Sequence, residues 1–176
     1  MLESQEIILR GGIKARIPRS AIIAFAAEGD CLRVATGEDT LLARLGALEA
    51  EKWVQGLAKP APSLASKLAI GGERPAFLFG HTDDVALLDA LAGHHRVDSP
   101  DRASVIVAVV DDASALDAAL SLATAHGLML WCVYPKGKAA GFGDTAIRER
   151  MRAAGWMDNK SCAVSDQLTA TRYGRK

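Results

Sequence analysis

Cysteine is scarce and scattered. The three thiols, Cys31, Cys132 and Cys162, form no C-x-x-C pair. An odd number spaced so widely argues against a disulfide framework or a zinc ribbon and leaves reduced, partly buried thiols. An excess of either charge is also missing. Lys+Arg and Asp+Glu each number 21, a formal net charge of zero, so no global electrostatic pull toward nucleic acid or an anionic membrane operates. No apolar run approaches the roughly 20 residues that span a bilayer. The opening MLESQEIILR carries acidic residues where a signal peptide carries basic ones. Internal repeats and low-complexity segments are absent too. These absences predict a soluble, cytoplasmic protein with neither a membrane nor a nucleic-acid partner.

What remains is a chain of 176 residues, about half of them hydrophobic, enough to bury a real core in one domain or in a small domain joined to a larger one. Up to about Leu45 the pattern is β-like. EIILR and IKARI flank Gly11-Gly12, which suits a tight hairpin because both glycines accept positive φ. AIIAFAA, CLRVA and TLLARL follow with short turns, as in an antiparallel meander. In ALEAEKWVQGLAK, Ala50, Trp53, Val54 and Leu57 fall at i, i+3, i+4 and i+7, the apolar face of a helix closing that meander. Residues 1–58 are thus expected to form a small β meander plus helix, similar to a reduced pleckstrin-homology-like module. KPAPS, residues 59–63, then sets two prolines within three positions and predicts a boundary.

From residue 64 to 176 strands alternate with helices. RPAFLFG reads as a strand; TDDVALLDALAG reads as a helix with Val85, Leu88 and Leu91 on one face. HHRVDS is a brief strand. SVIVAVV and LMLWCVY are nearly all apolar, as in strands buried on both faces of a parallel sheet. Between them Leu116, Ala119, Leu120 and Ala123 form a helical stripe that ends at His126 and Gly127. DTAIRERMRAAG follows with Asp144 as the cap, Ile147, Met151 and Ala154 inward, and Gly155 just past its end. NKSCAV and LTATRY close as strand, turn, strand. This order predicts a Rossmann-like, mostly parallel, three-layer α/β sheet with an antiparallel terminal hairpin.

EKWVQGLAKPAPSLASKLAI, LMLWCVYPKGK and AAGWMDNKSCAVSDQLTATRY together resemble a family of small bacterial proteins of unknown function. Its members carry a Trp helix, a Pro-Pro-Ser-like linker, a Lys-Leu pair, a Pro-Lys strand exit and a closing Lys strand with a terminal hairpin. The resemblance runs from Trp53 through most of the second part. The chain departs from it at Leu168, where the family often has Trp, and at Pro60-Ala61-Pro62, where it has adjacent prolines. No reaction comes with this resemblance. A weaker, topological one is to the C-terminal half of class I methyltransferases, which implies a fold and assigns no function.

In open α/β sheets ligands bind beyond the carboxyl ends of the strands, so Gly80, His81, Asp98, Asp111, Asp112 and Lys136 are the candidate crevice. A dinucleotide or methyl-donor loop needs several glycines and then an acidic residue for ribose hydroxyls. Asp98 stands at a suitable distance for the second role. The first loop, FGHTDD, supplies one glycine, and Asp83 and Asp84 repel a phosphate at the following helix start. Asp111-Asp112 fits helix capping better than acid/base or metal chemistry. His94 and His95 would point to opposite faces of a strand, and His81 and His126 lack metal partners at recognised spacing. GKAAGFGDT puts its lysine at the start, unlike a Walker loop, and neither a G-x-S-x-G elbow nor a Ser-His-Asp order is present.

Pro135 ends the second buried strand, and Lys136 and Lys138 carry the chain into water. Arg148, Arg150 and Arg152 fan around their helix, and Asp144 and Glu149 are spaced to pair with Arg148 and Arg152. The sequence therefore predicts a non-enzymatic binding or interaction protein with a degenerate core, no cofactor and no metal. Its partner is an unknown small molecule or protein, and homo-oligomers built on the terminal hairpin are possible. The alternative is a group transferase with a nucleotide-type cofactor, Asp98 on the ribose and Lys136 on an anionic substrate.

Overall fold

In a computed structural model, residues 1–3, 5–137 and 141–175 are described, with backbone alone at His94. Lys138 lies outside the described residues. The chain divides into two compact units, Met1–Pro62 and Ser63–Lys176.

The first unit does not form one meander. β1 (Glu6–Leu9) pairs with β2 (Ala15–Pro18) in a separate ribbon, and β3 (Ile22–Glu28), β4 (Cys31–Thr36) and β5 (Thr40–Arg44) make a three-stranded antiparallel sheet. Pro18, which has no N–H to donate, and the 3-10 turn at Arg19–Ala21 separate the two. The Gly11-Gly12 turn is also wider than the tight hairpin expected, because pairing stops at Leu9 and resumes at Ala15, leaving Ile13 in solvent. α1 (Ala47–Ala58) buries Ala50 and Leu57 against Ile7, Leu32 and Val34, with Trp53 and Val54 at the margin. The Arg19 guanidinium donates to the carbonyls of Gly56, Leu57 and Lys59, satisfying acceptors that the end of a helix leaves open.

The second unit opens with α2 (Leu64–Leu68), a helix the sequence pattern did not announce. Five residues are too few to show a period, although Ser63 caps it by accepting from the Ser66 amide at 3.1 Å. Then come β6 (Ala76–Phe79), α3 (Val85–Ala90), β7 (Arg96–Val97), β8 (Val105–Val109), α4 (Ala113–His126), β9 (Met129–Pro135), α5 (Asp144–Ala153), β10 (Trp156–Ala163) and β11 (Leu168–Arg175). They build a six-stranded mixed sheet in the order β10-β11-β9-β8-β6-β7. β7, β6, β8 and β9 run parallel, and β11 inserts antiparallel between β9 and β10.

Both faces of this sheet are covered. On one, α4 and α5 bring Leu116, Ala119, Ala123, Ile147 and Met151 onto Ile106, Ala108, Leu130 and Cys132. On the other, α2 and α3 bring Leu68, Leu87 and Leu91 onto Leu78, Val107, Trp131 and Val133. The inner face of α3 is Leu87, Ala90 and Leu91; Val85, expected inward, is 70% exposed, and Leu88 is exposed as well. Both sets have helical spacing, and the helix is too short for periodicity to choose between them. The sheet edges are blunt. β7 has two residues, and β10 is bulged between Asp158 and Lys160, both devices that discourage pairing with a foreign strand.

Ala69 is the one non-glycine residue at positive φ (59°) among those described. It closes α2, with its own amide on the Ser66 carbonyl and that of Ile70 on the Ala65 carbonyl. A left-handed residue with a Cβ costs about 1–2 kcal/mol there. Ala69→Gly is expected to raise stability by about 1 kcal/mol in urea unfolding.

Candidate functional site

The carboxyl ends of the parallel strands carry the expected residues in spatial order: Asp98 after β7, Gly80 and His81 after β6, Asp111 and Asp112 after β8, and Lys136 after β9. The chain changes direction across the sheet between β6 and β8. At that point Gly80 (φ 86°) passes so close to β8 that a Cβ would stand 3.1 Å from the Val109 carbonyl oxygen. Its missing side chain makes room for a neighbouring strand. Asp84 accepts the Leu87 amide at 2.9 Å and Asp112 the Ala115 amide at 2.7 Å, so both act as N-caps. Thr82 accepts the Asp84 amide through its hydroxyl. Among the described residues His81, Asp98 and Asp111 are exposed and have no polar partner.

A cavity of about 250 Å³ opens farther along, where β9 ends, and of the six expected residues it takes in Lys136. Its walls come from the start of α5 and the terminal hairpin. Asp144 is the first residue of α5 and not its cap, which is Gly143; its carboxylate turns to side chains. Tyr134 donates to Asp144 Oδ1 at 2.5 Å, and Arg148 Nε lies 2.9 Å from both Asp144 oxygens. Arg148 also donates to Asp158 on β10, which Arg152 approaches at 3.6 Å. The expected Glu149–Arg152 pair gives way to this one because β10 lies under that side of α5. Arg150 instead reaches Asp117 on α4.

Across the hairpin the hydroxyls continue. Tyr134 Oη is 2.8 Å from Thr171 Oγ1, which is 2.9 Å from Ser161 Oγ. A carboxylate only accepts, so the Tyr134 proton goes to Asp144 and the phenol oxygen takes the proton of Thr171. Thr171 in turn takes that of Ser161. The chain therefore runs in one direction, from Ser161 on β10 through β11 and β9 to Asp144, and leaves the Ser161 oxygen as an acceptor at the cavity. Lys136 Nζ donates to the Ser165 carbonyl at 2.6 Å, which pins the β9 exit to the hairpin turn and leaves two ammonium protons for a ligand.

Sequence reasoning placed Lys136 here and read Asp144–Arg148 as a solvated pair. It missed Tyr134, Ser161 and Thr171. The available signal was a set of hydroxyls at alternate positions, Thr169 and Thr171, in a strand whose other residues of that face pack inward.

Burial is the main cause, and the Asp144 hydrogen bond the second, of a Tyr134 phenol pushed up to about 12, partly offset by Thr171. Burial raises Tyr173 still further, with Cys132 and Tyr134 adding to it. At neutral pH Tyr134 is a donor and not a base. Tyr173 is fully buried, and its hydroxyl has no partner among the described residues. No group of three or more metal-ligating side chains exists among the described residues. No protein-family model matches the chain, and no curated protein matches it in sequence.

These two phenols are the only tyrosines. An unfolded tyrosine ionises near pH 10; the folded pKa of Tyr134 is higher, so the folded state holds a proton that the unfolded state releases. Stability is then unaffected below about pH 10 and falls as pH rises from there to about 12. Near-ultraviolet phenolate absorbance should stay absent from the folded protein at about pH 10–11 and appear together with unfolding. In urea, Tyr134→Phe should cost about 1–2 kcal/mol by cutting the hydroxyl chain, whereas Tyr173→Phe, which deletes an unpaired buried hydroxyl, should be neutral or stabilising by about 1 kcal/mol.

Proposed function

We propose that this is a non-enzymatic binding protein, whose second unit is a Rossmann-like core without a cofactor loop and whose recognition element is the Lys136 crevice. The observation that carries this reading is that Asp84, Asp112, Tyr134, Asp144 and Thr171 are engaged within the fold, while His81, Asp98 and Asp111 stand exposed without a polar partner among the described residues. Asp84 and Asp112 hold helix starts, Asp144 is shared by Tyr134 and Arg148, and Thr171 donates to Tyr134. At the switch point between β6 and β8, where an open α/β sheet takes its ligand, Gly80 runs close to the Val109 carbonyl. The crevice offers the Lys136 ammonium and the Ser161 oxygen, one donor and one acceptor, to a small polar ligand or an exposed segment of a protein partner.

The sheet ending in strand, helix and antiparallel hairpin, as in the C-terminal half of class I methyltransferases, favours the group-transferase alternative, with Asp98 on a ribose. Blunt sheet edges at β7 and β10 weigh against assembly by strand addition. A thermal-shift series with S-adenosylmethionine and nucleotides separates the first two readings. No saturable stabilisation at about millimolar ligand, a free-energy scale of roughly 4 kcal/mol, is expected. Stabilisation abolished by Asp98→Ala would establish the transferase instead. For the crevice, amide chemical-shift changes from a mixture of small polar metabolites should gather at Tyr134 to Gly137, Ser161 and Thr169, and vanish in Lys136→Ala.

A further inference from the structure

At the opposite end of the six-stranded sheet, Lys160 and Arg172 stand side by side, and Arg172 shares a cavity with Arg74. Lys160 on β10 is the direct cross-strand partner of Arg172 on β11, and Arg172 is the partner of Trp131 on β9. Ala170 and Trp131 belong to the core on the α2 side, and alternation along β11 puts Arg172 on that same face. Like charges placed directly opposite one another weaken a sheet. The local contacts relieve this only in part. Lys160 Nζ donates to the Lys67 carbonyl at 2.7 Å, and Trp131 Nε1 to the next carbonyl, Leu68, at 2.9 Å, so both close the end of α2. Arg172 lies over the Trp131 ring, 5.7 Å from its centroid, and its Nε donates to Asn159 at 2.7 Å. All of these acceptors are neutral. None of Lys67, Arg74, Lys160 and Arg172 makes an ion pair with a described residue. Elsewhere in this unit Arg148, Arg150 and Arg152 are all matched to aspartates.

Beside this cluster lies a second cavity of about 250 Å³, floored by Val105, Met129 and Trp131 and edged by Ser104, Arg74 and Arg172. Arg74 has no hydrogen-bonding partner for its guanidinium among the described residues, and Arg172 has none for its two terminal nitrogens. Ser104 is exposed and adds a hydroxyl. Two guanidinium forks with free donors and a hydroxyl line this cavity and match an anion with several acceptor oxygens and more than one negative charge. A single carboxylate would leave most of those donors and charges unanswered.

We infer that this cavity, at the amino ends of β8 and β9, is a binding site for a phosphate group, free or as the ester of a small molecule, held between Arg74 and Arg172. It is separate from the Lys136 crevice and does not depend on it. The bound anion offsets the repulsion built into the Lys160–Arg172 pair.

Amide chemical-shift titration of the whole chain with inorganic phosphate, pyrophosphate or acetate, at ionic strength held constant with chloride, tests it. Phosphate and pyrophosphate should give saturable shifts at Ser104, Met129, Trp131 and Arg172, and acetate should bind much more weakly. Arg74→Gln removes an exposed side chain that makes no internal contact by hydrogen bond or ion pair, so the fold should stand, and pyrophosphate affinity should fall about tenfold. Binding that is equal for acetate, unchanged in Arg74→Gln, or confined to Tyr134–Gly137 would overturn the assignment, as would no saturation in the unmodified protein. A phosphate ester that binds where inorganic phosphate does, and more tightly, would identify the ester as the occupant.

Discussion

Burial of β9 on both faces is the constraint from which the second unit follows. Leu130, Cys132 and Tyr134 face α4 and α5, Trp131 and Val133 face α2 and α3, and all five are buried. Fully burying a large apolar side chain contributes about 1.5–3 kcal/mol, so this strand, together with β8, binds both helical layers to the sheet. Trp131 does more than fill space, because its indole N–H takes the Leu68 carbonyl and so holds the end of α2 in place. Where the apolar residues stop, the polar ones have fixed surroundings. Tyr134 is the last inward residue, and its hydroxyl meets Thr171 and Asp144 because the strand beneath it cannot shift.

β11 links the two polar regions through the pleat. Successive residues point to opposite faces, so Thr171 joins the hydroxyl chain on the α5 side while Arg172 joins the cations on the α2 side. A shift of one residue in register would exchange them, placing a guanidinium beneath α5 and a threonine on Trp131. The hydrogen-bonded and charged groups on this strand thus reinforce the register that the apolar ones select.

The sequence displayed the alternation of strands and helices after residue 64 plainly, because SVIVAVV and LMLWCVY have no polar interruption and the helices between them are long enough to show a period. It also displayed the caps of α4, Asp112 and Gly127, whereas at α5 the expected cap Asp144 is the first helical residue. Features that depend on contacts distant in sequence were not legible. α2 is shorter than two turns, and the inward face of α3 is decided by what lies beneath it. The hydroxyl chain assembles residues 134, 161 and 171, and the separation of β1 and β2 from the other strands of the first unit hinges on a proline and a 3-10 turn. Lys136 was visible as a strand exit; its bond to Ser165 required the hairpin to be in place.

The position of β11 has a consequence for how the chain reaches its native state. It follows β10 in sequence yet lies inside it in space, so as the polypeptide emerges during synthesis, one flank of β9 stays unpaired until residues 168 to 175 have been made. An apolar strand with a bare flank is the kind of surface that captures other nascent chains. Completion of the sheet is thereby delayed to a late step, and the interval before it is when a chaperone would have most to protect.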